Sequence, residues 1–138
     1  MTSKFNTKWK RSSSATKQHK YHYNAPLHVK QKMVRAHLSQ ELRKKYGVRS
    51  FGVKKGDKVK VLEGQFSKKE GKVNRVILRR ERIYVDGIEM IKKDGTKVPY
   101  PLHASKVLLL ELNLNDKRRK EKLNPPPKSN TNPPSNSK

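Results

Sequence analysis

The sequence predicts a mainly β protein, one small closed barrel with a short-helical basic extension before it and a disordered C-terminal tail after it. Three observations carry this reading. Only 51–112 holds enough β-branched and aliphatic residues for a core. That stretch divides into five short runs, 58–62, 72–79, 82–85, 89–92 and 106–112, separated by turn signals at Gly64, Asp86-Gly87 and Asp94-Gly95. Five short strands of this kind suit closure into a barrel, and the flanks on either side are too polar to build a core of their own.

In chain order, residues 1–25 form a basic arm. Trp9, Tyr21 and Tyr23 lie among Lys4, Lys8, Lys10, Arg11, Lys17 and Lys20 with no periodicity through residue 23, so the arm is expected to be disordered alone and to order on RNA, its aromatics stacking while its cations meet phosphate. Residues 26–50 are expected to form short helices packed on the barrel. Pro26 opens the first, through Ala36, because a first turn does not need its missing amide proton; Leu27, Met33 and Val34 give it an apolar face. Ser39 N-caps the second, through Lys45, with Leu38, Leu42 and Tyr46 inward and Gly47 at the left-handed C-cap. Lys30, Lys32, Arg35, Arg43, Lys44, Lys45 and Arg49 are assigned to the outer surface of this segment.

Within 51–112, Val59 and Val61 alternate with charged residues, the period-two pattern of a half-buried strand. Gly56 and Asp57 lead into it, Gly64 permits a turn, and a lysine-rich loop runs from Gln65 to Glu70. Gly71 then opens a strand that buries Val73, Val76 and Leu78, with a register change between them. A unit of about 60 residues buries only about 60% of its unfolded surface, so the helices of 26–46 and a bound RNA are expected to add stability. Residues 113–123 form a basic helical turn, and 124–138 an Asn/Pro/Ser-rich tail; five of the eight prolines lie there, which forbids regular structure.

The 138 residues carry 35 Lys plus Arg against 11 Asp plus Glu, a formal charge of +24. A chain so charged repels itself and seeks polyanions, nucleic acid first among them. The excess is greatest in residues 1–50, where Glu41 is the only acid. Apolar runs stop at Val107–Leu110, far short of the roughly 20 residues that span a bilayer, and the N-terminus lacks the apolar region of a secretory signal. The expectation is an intracellular protein without membrane insertion. Absence of cysteine excludes disulfides and cysteine-ligated metals. His19, His22, His28, His37 and His103 have no metal-site spacing, and Gly64 to Lys72 fails as a nucleotide loop because Val73 stands where Ser or Thr must hold magnesium. No catalytic residue, metal or cofactor is expected.

Lys55 to Val73 resembles a KOW motif, an RNA-contacting hairpin of ribosomal and transcription proteins. Together with Ala25-Pro26-Leu27-His28-Val29-Lys30, with Leu38-Ser39-Gln40-Glu41-Leu42-Arg43-Lys44-Lys45-Tyr46-Gly47 and with His103-Ala104-Ser105-Lys106-Val107, it is similar to the eukaryotic and archaeal large-subunit ribosomal protein L twenty-six family, part of the universal L twenty-four family. Ala104 departs from it, since the family often has proline there, which points to a looser turn before the last strand. The resemblance implies an SH3-like barrel, no enzymatic activity, and a structural role in the large subunit, bound to the 5′ region of its rRNA near the polypeptide exit tunnel and active in assembly and translation. It also implies neighbouring ribosomal proteins as partners, no small-molecule substrate, no obligate homo-oligomer, and a cytoplasmic ribosomal location, nucleolar during assembly in a eukaryote. On this reading Lys55, Lys68, Lys69, Lys72 and Arg75 face RNA backbone, Arg79, Arg80 and Arg82 engage a second strand or helix, and Lys106 adds to the cationic surface. A KOW-type transcription factor and a histone-like DNA compactor are the rival classes; the former usually has further domains, the latter long basic low-complexity tails.

Overall fold

The computed structural model describes residues 4–124. Its centre is the hairpin that the alternation predicts: β3 (Lys58–Val61) buries Val59 and Val61 and pairs antiparallel with β4 (Glu70–Ile77), Val59 opposite Gly71. On the other side β3 pairs with β9 (Val107–Glu111), whose Val107 and Leu109 are also fully buried. β4 continues to β5 (Arg82–Val85), and β5 to the two-residue β8 (Leu102–His103). The register shifts between Val73 and Arg75, so the expected register change in this strand is a bulge.

Two further strands precede β3, one inside the segment expected to form short helices and one at its junction with 51–112. The first predicted helix ends early, as α2 (Leu27–Met33), and the chain turns into β1 (Arg35–Leu38), which runs parallel to β9 with Leu38 opposite Leu109 and antiparallel to β2 (Ser50–Gly52). Ala36 and Leu38 are therefore core strand residues, while Leu27 is exposed. The second helix forms where expected: α3 (Gln40–Tyr46) starts at Ser39, whose hydroxyl accepts the Leu42 N–H, and ends at Gly47 with φ 64°.

The resulting sheet has the order β2-β1-β9-β3-β4-β5-β8, and a hairpin of β6 (Glu89–Ile91) and β7 (Lys97–Pro99) stands apart from it. The end strands β2 and β8 do not pair, so the expected closed barrel is corrected to an open sheet; strands of three and two residues offer few ladder hydrogen bonds with which to close it. The mainly β expectation is corrected to mixed α/β, with nine strands and seven helical segments among the described residues.

The arm is also more ordered than its composition predicts. A 3-10 turn spans Thr7–Arg11 and α1 spans Ala15–Asn24. Gln18 Nε2 donates to the carbonyls of Lys10 and Ser12, folding the turn against the helix. Tyr21 is buried and stacks on Phe5 with ring centroids 5.3 Å apart, so it is an internal anchor for the arm. Of the expected tail, 124–138, all but Asn124 lies outside the described residues.

After β9 the chain passes through Asn113 to α4 (Lys117–Leu123), which is a structural element and more than a basic turn. Leu123 is buried in the core. Asp116 caps the helix by accepting the Arg118 N–H, and a hydrogen bond from Lys54 Nζ at 3.1 Å holds its carboxyl below the ordinary value, so the cap stays charged until the pH falls through that lowered value. Arg119 reaches back to Asp57: Nη2 donates to Oδ2 at 2.7 Å, with both side chains buried. Asp57 also accepts the N–H groups of Lys54 (2.8 Å) and Asn113 (2.9 Å), and Arg119 donates to the carbonyls of Gly52 and Asn113 and lies 5.3 Å over the Phe51 ring.

Removing one partner of a buried, hydrogen-bonded ion pair leaves the other charge uncompensated. Asp57→Ala or Arg119→Ala is therefore expected to lower unfolding stability by about 3–5 kcal/mol, read from the urea midpoint, with the double variant well below the sum of the two. Gly71 has a different constraint, since a Cβ there would meet the Asp86 carbonyl oxygen and stand 2.7 Å from Val85 Cγ1. Gly71→Ala should cost about 1–3 kcal/mol by pushing β4 from β5, whereas Gly52→Ala, with open space at its Cβ, should leave the midpoint unchanged or raise it.

Candidate nucleic-acid interface

The β3–β4 connection is held by its own backbone. Val61 N–H donates to the Lys69 carbonyl and Lys68 N–H to the Val61 carbonyl, at 2.9 and 2.8 Å, and Ser67 N–H closes a turn on Gly64. Gly64 takes φ 96°, and Lys68 itself sits at φ 69°. Non-glycine residues enter that region at a cost and stay there only when their surroundings hold them; here the result is that Lys68 and Lys69 project from a fixed tip. Lys69 Nζ also lies 5.3 Å over the Phe66 ring.

Beyond the tip, Lys72 and Arg75 are exposed on β4, and the bulge beside Arg75 turns Asn74 and Arg75 outward together. The 3-10 turn Leu78–Arg80 and the left-handed Glu81 (φ 56°) set Arg79, Arg80 and Arg82 on a tight corner, all exposed. On the helical side, Lys32, Arg35, Arg43, Lys44, Lys45 and Arg49 are exposed; Arg43 Nε donates to the Leu38 carbonyl and Arg35 Nη2 to the Ser50 carbonyl, which limits where those guanidinium groups swing. Lys8, Lys10, Arg11, Lys17 and Lys20 are exposed along the arm, Lys55 on a loop and Lys106 at the end of a 3-10 turn.

Lys30 is the one candidate that the fold withdraws. It is buried, and its Nζ donates to the Arg79 carbonyl at 3.0 Å, joining α2 to the arginine corner. Its sequence neighbours gave no sign of this, because the partner is a backbone oxygen on a distant turn. Tyr21, expected to stack on bases, is buried as well, while Tyr23 is exposed. Conversely, Lys92, Lys93 and Lys97 on the β6–β7 hairpin and Lys117, Arg118, Lys120 and Lys122 on α4 are exposed cations that sequence patterning left without a role. Ala104 is buried and begins a 3-10 turn closed by Val107 N–H on its carbonyl, with the His103 ring accepting from Ser105 N–H, so the turn is tied without proline.

The acids decide which cations stay free. Glu70 lies 3.9 and 3.7 Å from Lys58 and Lys60, Glu111 lies 3.6 Å from Lys58, Asp116 pairs with Lys54, Asp57 with Arg119, and Glu81 lies 3.9 Å from His22. None of the exposed candidates has a carboxylate partner among the described residues. The same residues contain no group of three or more potential metal ligands, and no helix long and apolar enough to cross a membrane.

A small sheet with one charged hairpin tip, an arginine corner and cation-rich helices around it defines a class: a strongly basic protein whose exposed cations far outnumber its carboxylates. Comparison with known proteins gives the family. Residues 12–125 match the family of ribosomal proteins described as L26 in eukaryotes and L24 in archaea. Among relatives, the chain is similar to the large ribosomal subunit protein uL24 of Korarchaeum cryptofilum (48% identical, covering 82% of this chain and 86% of the relative), to that of Methanospirillum hungatei (51%, covering 81% and 93%) and to that of Methanosarcina barkeri (49%, covering 78% and 93%). The chain belongs to this family of ribosomal proteins, which are not enzymes.

Lys30→Met keeps the apolar stem and removes the donor, stranding the Arg79 carbonyl. It is expected to cost about 1–3 kcal/mol in thermal or urea unfolding. Replacement of Lys68, Lys69 and Lys72 together by alanine should cost no more than about 1 kcal/mol, the cation–π contact of Lys69 included; an unfolded triple variant at room temperature contradicts their placement as surface groups.

Proposed function

We propose that this protein is a structural constituent of the large ribosomal subunit that binds its rRNA, in the 5′ region near the polypeptide exit tunnel, and supports subunit assembly and translation. The observation that carries the reading is the division of charge: carboxylates pair with Lys54, Lys58, Lys60, Arg119 and His22, and the surface lysines and arginines outside that set have no carboxylate counterion among the described residues. Phosphate supplies one. Lys55, Lys68, Lys69, Lys72 and Arg75 meet the RNA backbone along the hairpin, while Arg79, Arg80 and Arg82 reach a second strand or helix from the corner. Lys32, Arg35, Arg43, Lys44, Lys45, Arg49 and Lys106 extend the contact, and the arm, through Lys8, Lys10, Arg11, Lys17 and Lys20, lies between RNA helices.

Recognition on this reading depends on shape and phosphate spacing, because the major groove of an A-form duplex is too deep and narrow for side chains to read, and contacts across the shallow minor groove are mostly to 2′-hydroxyls and phosphates. The sheet contributes by fixing the intervals between charges before RNA arrives, which lowers the ordering cost of binding. The relatives named as large ribosomal subunit proteins support the assignment of partner, rRNA and neighbouring proteins of the subunit, and a cytoplasmic ribosomal location.

Each phosphate neutralised releases condensed counterions, so with about ten contacts the logarithm of affinity for rRNA fragments is expected to fall against log salt with a slope of roughly −7 to −9. Titration between low and physiological salt measures this; a flat response is incompatible with a phosphate-led interface. Tagged protein sedimented through a sucrose gradient should travel with the large subunit.

A further inference from the structure

A cleft of about 210 Å³ opens where the hairpin loop meets the edge strand β8. Phe66 from the loop and Tyr100 from the segment before β8 form its aromatic wall, with centroids 5.1 Å apart and planes at 57°. Arg82, His103, Lys106 and Glu63 complete the lining used here. Pockets for whole small ligands run from about 300 to 1,000 Å³, so this space suits one flat ring system and not a complete metabolite. Both rings are half-buried and pack against the core cluster, in which Val59 and Leu109 are fully buried.

We infer that this cleft receives a single unpaired nucleotide of the bound RNA, its base stacked against Tyr100 and Phe66 and its phosphate held by Arg82 and Lys106. The inference rests on the RNA-binding reading and deepens it. Lys69 occupies one face of Phe66, 5.3 Å from the centroid, which leaves Tyr100 as the main stacking surface. Arg82 and Lys106 are exposed and have no carboxylate partner among the described residues, so the rim is free to neutralise a phosphate. Glu63, also on the lining, is an acceptor that repels phosphate and attracts the N–H groups of a base edge. That sets a direction, base toward the acid and phosphate toward Arg82 and Lys106. His103 Nδ1 lies 3.3 Å from the Ser105 N–H and 2.8 Å from Ser105 Oγ, which fixes the ring against the 3-10 turn at the wall of the cleft.

The frame is rigid on both sides. Leu62 N–H donates to the Lys106 carbonyl at 2.9 Å, tying the loop to the last 3-10 turn, and Tyr100 N–H donates to the Ile88 carbonyl at 3.0 Å. Aromatic faces held open beside free cations are the two components that single-stranded nucleic acid requires, and here they coincide.

The test uses the full chain and three RNA hairpins at one salt concentration: fully paired, with one bulged nucleotide, and with that nucleotide made abasic. Wild-type protein is expected to bind the bulged hairpin about 5- to 150-fold more tightly than the abasic one. Tyr100→Leu keeps an apolar side chain, and should erase that preference while leaving affinity for the paired hairpin and its salt slope unchanged. Equal binding of bulged and abasic hairpins by the wild type overturns the inference, as does a Tyr100→Leu protein that keeps the preference. If Tyr100→Leu does not fold, the wild-type comparison decides alone. Failure to bind any of the three with salt dependence sinks the RNA-binding reading itself, and this inference with it, an outcome distinct from salt-dependent binding that ignores the base.

Discussion

The Asp57 carboxylate is the point on which the described structure converges. Its two oxygens take hydrogen bonds from Lys54 before β3, from Asn113 after β9, and from Arg119 on α4. Three separate stretches of chain thereby meet at one buried charge. An isolated carboxylate in such a place would be far too costly to keep ionised, and the guanidinium with its further bonds to Gly52 and Asn113 is what makes the arrangement tolerable. With Leu123 also in the core, this junction turns a highly basic C-terminal run into part of the fold.

The same economy of acids shapes the surface. Eleven carboxylates cannot balance 35 lysines and arginines, and those with partners sit where strands and helices need joining: Glu70 against two lysines of β3, Asp116 at the cap of α4, Glu81 at the arginine corner. Charges used for internal joining and charges turned outward are thus different residues. Mutual repulsion among the outward set destabilises the chain on its own and favours any state in which a polyanion is bound, so stability and function draw on one electrostatic imbalance.

Backbone geometry fixes where the outward charges stand. The left-handed Lys68, the bulge beside Arg75 and the turn ending at Glu81 each place cations at a discontinuity of the sheet, where side chains splay instead of lying in register. The aromatic cleft lies between the first of these and the edge strand. Its position there follows from β8 being two residues long, which ends the sheet early and leaves Tyr100 uncovered by a further strand.

From the order of residues alone came the β3–β4 hairpin, the Ser39-to-Gly47 helix, the turns at Gly64, Asp86-Gly87 and Asp94-Gly95, and the cation-rich surface, because alternation, capping chemistry, positive-φ glycines and net charge act locally or additively. Tertiary structure alone decided that Arg35–Leu38 is a strand, that Lys30 and Arg119 turn inward, and that Tyr21 anchors the arm it was expected to leave free. It also decided that the sheet stays open. In each of these the partner is distant in the chain: β9 for β1, the Arg79 carbonyl for Lys30, Asp57 for Arg119, and an absent ladder between β2 and β8. A lysine or arginine carries the same local signature whether it faces solvent or a buried acceptor, and only the assembled fold supplies the acceptor.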